Sequence, residues 1–140
     1  SRMLQKACRK VMGRIEDKEM ELRQDIQPDF HYEGDARLME KVFANVLDNA
    51  VAYSPRGAVV TVTLQDGVLS VENSGIHIEQ EDLEQLFTPF YRVDKSRNRN
   101  SGGSGLGLYI TKTILDHHGI SYSMENTENG VRFTALFRLL

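Results

Sequence analysis

The segment 36–54, ARLMEKVFANVLDNAVAYS, constrains the fold most, because it has the strongest amphipathic helix pattern in the chain. At about 100° per residue, its apolar side chains fill one half of the helical wheel. These side chains are Leu38, Met39, Val42, Phe43, Val46, Leu47 and Ala50. Gly34 and Asp35 precede the segment and predict a capped helix start. A helix with so wide an apolar face has to be buried against another layer.

The rest of the chain alternates between helical and strand-like patterns. Helical patterns cover 2–18, 79–87 and 106–117, with Gly119 closing the last of these. Strand patterns cover 20–26, 58–64, 68–73, 120–126 and 131–139. Turns at 65–67 and at Asn129–Gly130 predict two hairpins. This order predicts one α+β domain, a two-layer α/β sandwich in which three main helices pack on one face of a mixed, mostly antiparallel sheet.

Composition excludes several classes of protein. The 140 residues are enough for one domain with a sizeable core. No long apolar run is present and the first residues are polar and basic, so neither a membrane span nor a signal peptide is expected. Cys8 is the only cysteine, which excludes an internal disulfide and suggests a packed small side chain. The net charge of −3 disfavours a broad nucleic-acid surface.

A glycine-rich turn, SGGSGLGLYI at 101–110, leads into the last predicted helix. It lacks the Gly-Lys pair of a P-loop, and it lacks the strand that precedes a dinucleotide-binding turn. What remains is a turn whose free N–H groups and helix dipole can face an anion. The polar segment 94–103 before it is expected to be mobile, and 92–99 holds four basic side chains and one carboxylate, a local charge of +3. The alternative is a solvated surface loop.

Two asparagines lie on the border of the apolar face of helix 36–54. Asn45 and Asn49 are one turn apart, and Tyr53 continues their line. Amides at the margin of a core need hydrogen-bonding partners. A cavity with hydrated Mg²⁺ and phosphates would supply them, because neutral amide oxygens suit a hard cation. The alternative is that both amides satisfy nearby loop backbone.

Four segments in this order resemble known sequence boxes. NVLDNAVAYSP (45–55), VENSGI (71–76), FTPFYRVD (87–94) and GGSGLGL (102–108) are similar to the N, G1, F and G2 boxes of the catalytic, ATP-binding domain of bacterial sensor histidine kinases. That domain belongs to the gyrase–Hsp90–histidine kinase–MutL superfamily. The resemblance covers essentially the whole chain and implies a Bergerat-type fold, with residues 1–140 as a single ATP-binding catalytic domain.

The resemblance implies a role for each matching residue. Asn49 would ligate Mg²⁺, and Asn45 would support the metal and the phosphates. Tyr53 would stack on the adenine, whose amino edge would be read near Asn73 and Gly75, and Ile78 would also belong to the nucleotide site. A flexible ATP lid at 94–103 would be anchored and oriented by Phe87, Phe90 and Arg92, with Lys95, Arg97 and Arg99 as its cations. The triphosphate would lie against the backbone at Gly103, Gly105 and Gly107, with Leu106 and Leu108 packed beneath.

Three positions depart from the family pattern. Asn73 stands where the family usually has Asp, so the acceptor for the adenine amino group is neutral and weaker. His77 replaces the second glycine of the G1 box and adds bulk. Ala52 stands where a basic residue is common, which removes one phosphate contact. These changes are expected to weaken nucleotide binding without abolishing it.

The phosphoacceptor of a histidine kinase is not recognisable in this sequence. None of the four histidines is followed by Glu or Asp and a nearby Pro. On the helical pattern, His117 is expected to pack in the core and His118 to face solvent, and neither has partners for a metal site. No residue qualifies as a general base. The resemblance therefore implies that ATP and Mg²⁺ bind here while the acceptor lies on a separate dimerisation domain.

Further expectations follow from the resemblance. The isolated domain would be monomeric and the full-length protein a homodimer, with a response regulator as an indirect partner and no nucleic acid partner. Its location would be the cytoplasmic side of a membrane-anchored bacterial sensor. The alternatives are an ATP-driven conformational switch, a serine kinase of the same fold, and a degenerate scaffold that binds no nucleotide.

Overall fold

The computed structural model describes residues 2–28, 34–87 and 107–137. The helices in these ranges are α1 (Arg2–Asp17), α2 (Ala36–Tyr53), α3 (Gln80–Gln85) and α4 (Gly107–His117). The strands are β1 (Glu21–Ile26), β2 (Val59–Gln65), β3 (Val68–Ser74), β4 (Ser121–Asn126) and β5 (Gly130–Leu136). Each lies where the sequence pattern predicts it, with differences of a few residues at the ends.

The strands form one five-stranded sheet in the order β1-β2-β3-β5-β4. β1 pairs with β2 in parallel, across the α2 connection, and the other neighbours are antiparallel. The β2–β3 hairpin turns at Asp66 and Gly67, which both have positive φ (52° and 79°). That combination gives the two-residue turn whose twist matches the flanking strands. The predicted mixed, mostly antiparallel sheet is therefore confirmed.

The core lies between one face of the sheet and the three longer helices. β2, β3 and β5 alternate buried and part-exposed residues, so one face of the sheet packs inward. The helices cover it with α2 in the middle, in contact with α1 on one side and α4 on the other. Cys8 is fully buried in this core, and burial raises the pKa of its thiol to about 11. The expectation of a packed small side chain is confirmed.

The start of α2 is capped as its sequence predicts. The Asp35 carboxylate accepts hydrogen bonds from the backbone N–H groups of Arg37 (3.0 Å) and Leu38 (3.2 Å). None of the helices in the described ranges is long and apolar enough to cross a membrane.

The prediction for the two adjacent histidines is wrong. His117 is exposed, whereas His118 is half-buried. The His118 ring contacts the carbonyl oxygen of Ile114 through Nδ1 (2.9 Å) and accepts from the N–H of Asp35 through Nε2 (3.3 Å). The reason is helical phase, because the buried row of α4 runs through Thr111 and Leu115, and its next member is residue 118.

The end of α2 is held by a side chain from the end of α1. Lys18 Nζ donates to the backbone carbonyl oxygens of Val51 (2.8 Å) and Ser54 (2.6 Å). The Val51 carbonyl also accepts from the backbone N–H of Ser54 (3.4 Å), and a cation at this end of the helix interacts favourably with the helix dipole. Burial, together with the charge of Arg14, lowers the pKa of the Lys18 ammonium. Lys18 therefore fixes the residues that follow α2.

We predict that Lys18→Met lowers the free energy of unfolding by about 1.5–3 kcal/mol, because two charge-assisted hydrogen bonds are lost. Urea denaturation measures the change. Lys10→Met is the matched control, since Lys10 is exposed on the same helix and should change stability by less than about 0.5 kcal/mol. Equal effects of the two substitutions would show that the contacts at the end of α2 contribute nothing measurable.

Candidate nucleotide-binding site

One edge of α2 meets the first residue of α4. Asn45 Nδ2 donates to the carbonyl oxygen of Gly107 (3.2 Å), which also accepts from the hydroxyl of the buried Thr111 (3.0 Å). A Cβ on Gly107 would lie 3.8 Å from the amide carbon of Asn45. The side chain of α2 thus packs directly on the helix start that follows the glycine-rich turn. The structure brings the N box and the end of the G2 box together.

Asn49 and Tyr53 continue the same edge toward the end of α2. Both side chains are half-buried, as their place at the margin of the apolar face predicts. Within the described ranges, neither side chain makes a hydrogen bond. The Asn45 amide bonds a nearby backbone carbonyl, as the alternative interpretation predicts. The Asn49 amide makes no hydrogen bond to any described residue. The two asparagines therefore differ in what they can offer a ligand.

The segment after α2 packs against the loop after β3. Gly75 has φ +84°, and a Cβ there would lie 2.7 Å from Cγ of Pro55. A side chain at position 75 would clash as well as strain the backbone, so only glycine allows this approach. The hydroxyl of Ser74 accepts from the N–H of Val59 (2.8 Å), which ties the same loop to β2. The end of the N box and the G1 box therefore lie side by side.

Asn73 occupies a buried position at the end of β3. It is 8% exposed and lies on the inward face of the sheet, paired in register with Val60 on β2 and Val131 on β5. Both of these neighbours are buried and apolar. No hydrogen bond of the Asn73 amide is found among the residues that the structure describes. A buried amide in such surroundings needs a partner.

The β4–β5 turn holds the loop that follows β3. Asn126 accepts from the N–H of Ile78 through Oδ1 (2.8 Å) and donates to the Ile78 carbonyl through Nδ2 (2.7 Å). The N–H of Gly75 donates to the carbonyl of Asn129 (3.1 Å). His77 is exposed and its Nε2 lies 2.9 Å from the carbonyl oxygen of Thr127, so its ring is placed against this turn. The backbone of this loop is therefore held by residues at the end of β4 and in the β4–β5 turn.

Only part of the predicted lid region falls within the described residues. Phe87 is half-buried and its ring meets Tyr122 of β4 edge-on, with the ring centroids 5.2 Å apart. Leu108 is buried, with 8% of its surface exposed. Outside the described residues lie the remaining predicted site residues, namely Phe90, Arg92, Lys95, Arg97, Arg99, Gly103, Gly105 and Leu106.

The described residues contain no group of three or more His, Cys, Asp or Glu side chains that could hold a metal ion. Among the described residues, a cation beside Asn49 would find a neutral amide oxygen as its donor, and phosphate oxygens of the nucleotide could complete its ligands. This donor set fits a hydrated Mg²⁺ held together with phosphates, because Mg²⁺ keeps several waters and takes few protein ligands.

Sequence reasoning missed two positioning residues, Lys18 and Asn126. Lys18 forms hydrogen bonds with carbonyls 33 and 36 positions away in the sequence, and Asn126 forms them with a residue 48 positions away. No local pattern marks either contact. An asparagine at the end of a strand and a lysine at the end of a helix are ordinary turn and helix-end residues.

We predict that Asn126→Ala exposes the backbone of Ile78 to solvent and speeds exchange of its amide hydrogen by about tenfold, since two hydrogen bonds are lost. Hydrogen exchange followed by NMR measures this rate. Glu128→Ala is the control, because Glu128 is exposed in the same turn and its side chain makes no hydrogen bond or ion pair within the described ranges. An unchanged exchange rate in a folded Asn126→Ala protein would contradict the assignment.

Comparison with known proteins agrees with this geometry. Residues 34–140 match the family of histidine kinase-, DNA gyrase B- and HSP90-like ATPases. The sensor protein VanSB of Enterococcus faecalis is 45% identical over 103 residues, which is 71% of this chain and 23% of that protein. The chain thus spans about a quarter of the length of this relative.

Solved structures of histidine kinases share the fold. The catalytic domain of histidine kinase ThkA superposes with a TM-score of 0.85 at 26% identity, covering 98% of this chain and 90% of that one. A structure of ThkA in complex with the response regulator protein TrrA covers 99% of this chain and 40% of that one, with a TM-score of 0.77 at 23% identity. The family match, residues 34–140, covers all four boxes. The chain therefore belongs to the histidine kinase-, DNA gyrase B- and HSP90-like ATPases, and within them it is the ATPase domain of a sensor histidine kinase.

Proposed function

We propose that this domain binds Mg-ATP between the second half of α2 and the start of α4 and donates the γ-phosphoryl group to a histidine on a separate dimerisation domain. The contact between Asn45 and Gly107 carries the proposal, because it joins the amide edge of α2 to the helix that follows the glycine-rich turn. The free N–H groups at a helix start favour an anion, and phosphates are the anion that the family binds.

The residues around this contact fit the parts of the ligand. Asn49 would offer its amide oxygen to Mg²⁺, while the fixed amide of Asn45 holds the start of α4 in place. Tyr53 would stack on the base, and Asn73, Gly75 and Ile78 would border the base edge. Gly103, Gly105, Leu106, Gly107 and Leu108 would line the phosphates. When bound, Mg²⁺ would neutralise phosphate charge during transfer.

The chain's own residues contribute positioning and charge to the transfer. Phosphoryl transfer needs little covalent chemistry from the protein, and no described residue is placed as a general base. Phe87, held by Tyr122, would anchor the segment that follows, in which Phe90 and Arg92 orient the lid. The basic side chains of that segment would face the phosphates. Activation of the acceptor histidine would come from the other domain.

The partners follow from the same proposal. Residues 1–140 would form a single catalytic domain that is monomeric alone and part of a homodimer in the full-length kinase. Its direct partner would be the upstream dimerisation domain, and a response regulator would receive the phosphoryl group afterwards. ThkA is solved with such a regulator. The expected location is the cytoplasmic side of a membrane-anchored bacterial sensor.

Mixing this chain with Mg-ATP and the separate dimerisation domain of its own kinase tests the proposal. The expected product is an acid-labile, base-stable phosphohistidine on the added domain. An acid-stable phosphoserine would instead favour a serine kinase of the same fold. ATP binding without any transfer would favour a conformational switch, and a lack of binding would favour a degenerate scaffold.

We predict that Asn49→Ala lowers phosphotransfer at least about 100-fold, because a metal contact worth several kcal/mol is lost. Asn49→Asp should also fail, because the added charge unbalances the site. Affinity for adenosine should stay unchanged in both. Gln24→Ala is the control, since it removes an exposed amide from β1, away from α2. Mg²⁺-dependent transfer by a folded Asn49→Ala protein would contradict the metal assignment.

The basic residues of the lid generate a second prediction. Replacing Lys95, Arg97 and Arg99 together by Ala should weaken ATP binding more than adenosine binding, by about 0.2–1 kcal/mol per charge. The difference should shrink at high salt, because exposed charges are screened beyond about 10 Å at 0.1 M ionic strength. Calorimetric titrations with both ligands measure it. Equal losses for ATP and adenosine would show that these side chains do not read phosphate charge.

A further inference from the structure

The amide of Asn73 differs from the amides of Asn126 and Asn45, which are fixed by backbone groups. Both ends of the Asn126 amide are fixed by the backbone of Ile78, and Nδ2 of Asn45 is fixed by Gly107. Asn73 is more than nine-tenths buried, yet its amide has no hydrogen bond within the described ranges. Nothing among these residues therefore fixes which end of the Asn73 amide faces the site.

The geometry points to Asn73 as a residue that lets the site accept both amino-type and carbonyl-type purines, so that inosine triphosphate binds as well as ATP. This inference rests on the proposed function, since it assumes that the base lies beside Asn73. It concerns only the hydrogen-bonding edge of the purine base. It identifies Asn73 as the residue that sets base selectivity.

The chemistry of the amide supports this claim. An amide has one donor end and one acceptor end, and rotation by half a turn exchanges them. Adenine presents the N6 amino donor beside the N1 acceptor, which match Oδ1 and Nδ2 of Asn73. Hypoxanthine presents the O6 acceptor beside the N1–H donor, and the rotated amide matches these. Each base can thus pair with the same side chain in one of its two orientations.

A carboxylate at this position would act differently. Aspartate is the residue that the family usually has there, and an ionised aspartate can only accept hydrogen bonds. It would accept from the adenine amino group but would face O6 of hypoxanthine with a second acceptor. The buried valines on either side, Val60 and Val131, offer no polar group to relieve this contact. A neutral amide therefore removes the discrimination that a carboxylate imposes.

Calorimetric titration of the chain with Mg-ATP and with Mg-ITP tests the inference, because the two ligands differ only in the base edge. We expect the dissociation constants of the wild-type protein to agree within about tenfold. Asn73→Asp should shift the ratio toward ATP by about tenfold or more, the value of one mismatched hydrogen bond. Ser70→Asp is the matched control, since it places the same charge on β3 but on the opposite face, and its ratio should stay at the wild-type value.

Binding of ITP at least about 100-fold weaker than ATP by the wild-type protein would overturn the inference. So would an unchanged ratio in a folded Asn73→Asp protein. Because a buried carboxylate can prevent folding, Asn73→Leu is a second variant. It should weaken both nucleotides by the same factor, and selective loss of one would contradict the claim. If the wild-type protein binds neither nucleotide, the proposed function fails and the inference fails with it.

Discussion

Burial of one face of α2 against the sheet determines where the other parts of the site lie. The helix is covered by α1 on one side and by α4 on the other, and Asn45 meets the start of α4. Asp35 caps its first turn and Lys18 holds its last carbonyls. With both ends fixed, Pro55 reaches Gly75 and joins the helix to the loop after β3.

The site combines a fixed frame with side chains that stay available. Backbone groups of the loop after β3 are held by Asn126, at the end of β4, and by Asn129 in the β4–β5 turn. Gly107 is held by Asn45. Against this frame, the amides of Asn49 and Asn73 have no hydrogen bond among the described residues. A preorganised frame lowers the entropic cost of binding, and free amides at the two ends of the site suit a ligand with a base and a metal-bound phosphate.

Much of the fold could be predicted from the sequence because its signals are local. The apolar face of 36–54, the cap at Asp35 and the turn at Asp66–Gly67 each depend on neighbouring residues, and the structure confirms all three. The strand order and the contacts of Lys18 and Asn126 depend on distant residues, so no local pattern contains them. The error at His117 and His118 arose from helical phase near the end of α4, where one residue changes the face. The four boxes predicted the family, and the roles of their residues stay predictions.

The central claim is that nucleotide binds where the second half of α2 meets the start of α4. NMR titration of the chain with Mg-ATP tests it most directly. The account predicts saturable shifts of the backbone amides of Gly75, Ile78 and Gly107, with little change at Thr63, Ser70 and Thr134 on the opposite face of the sheet. The absence of saturable shifts, or shifts centred on that opposite face, would contradict it.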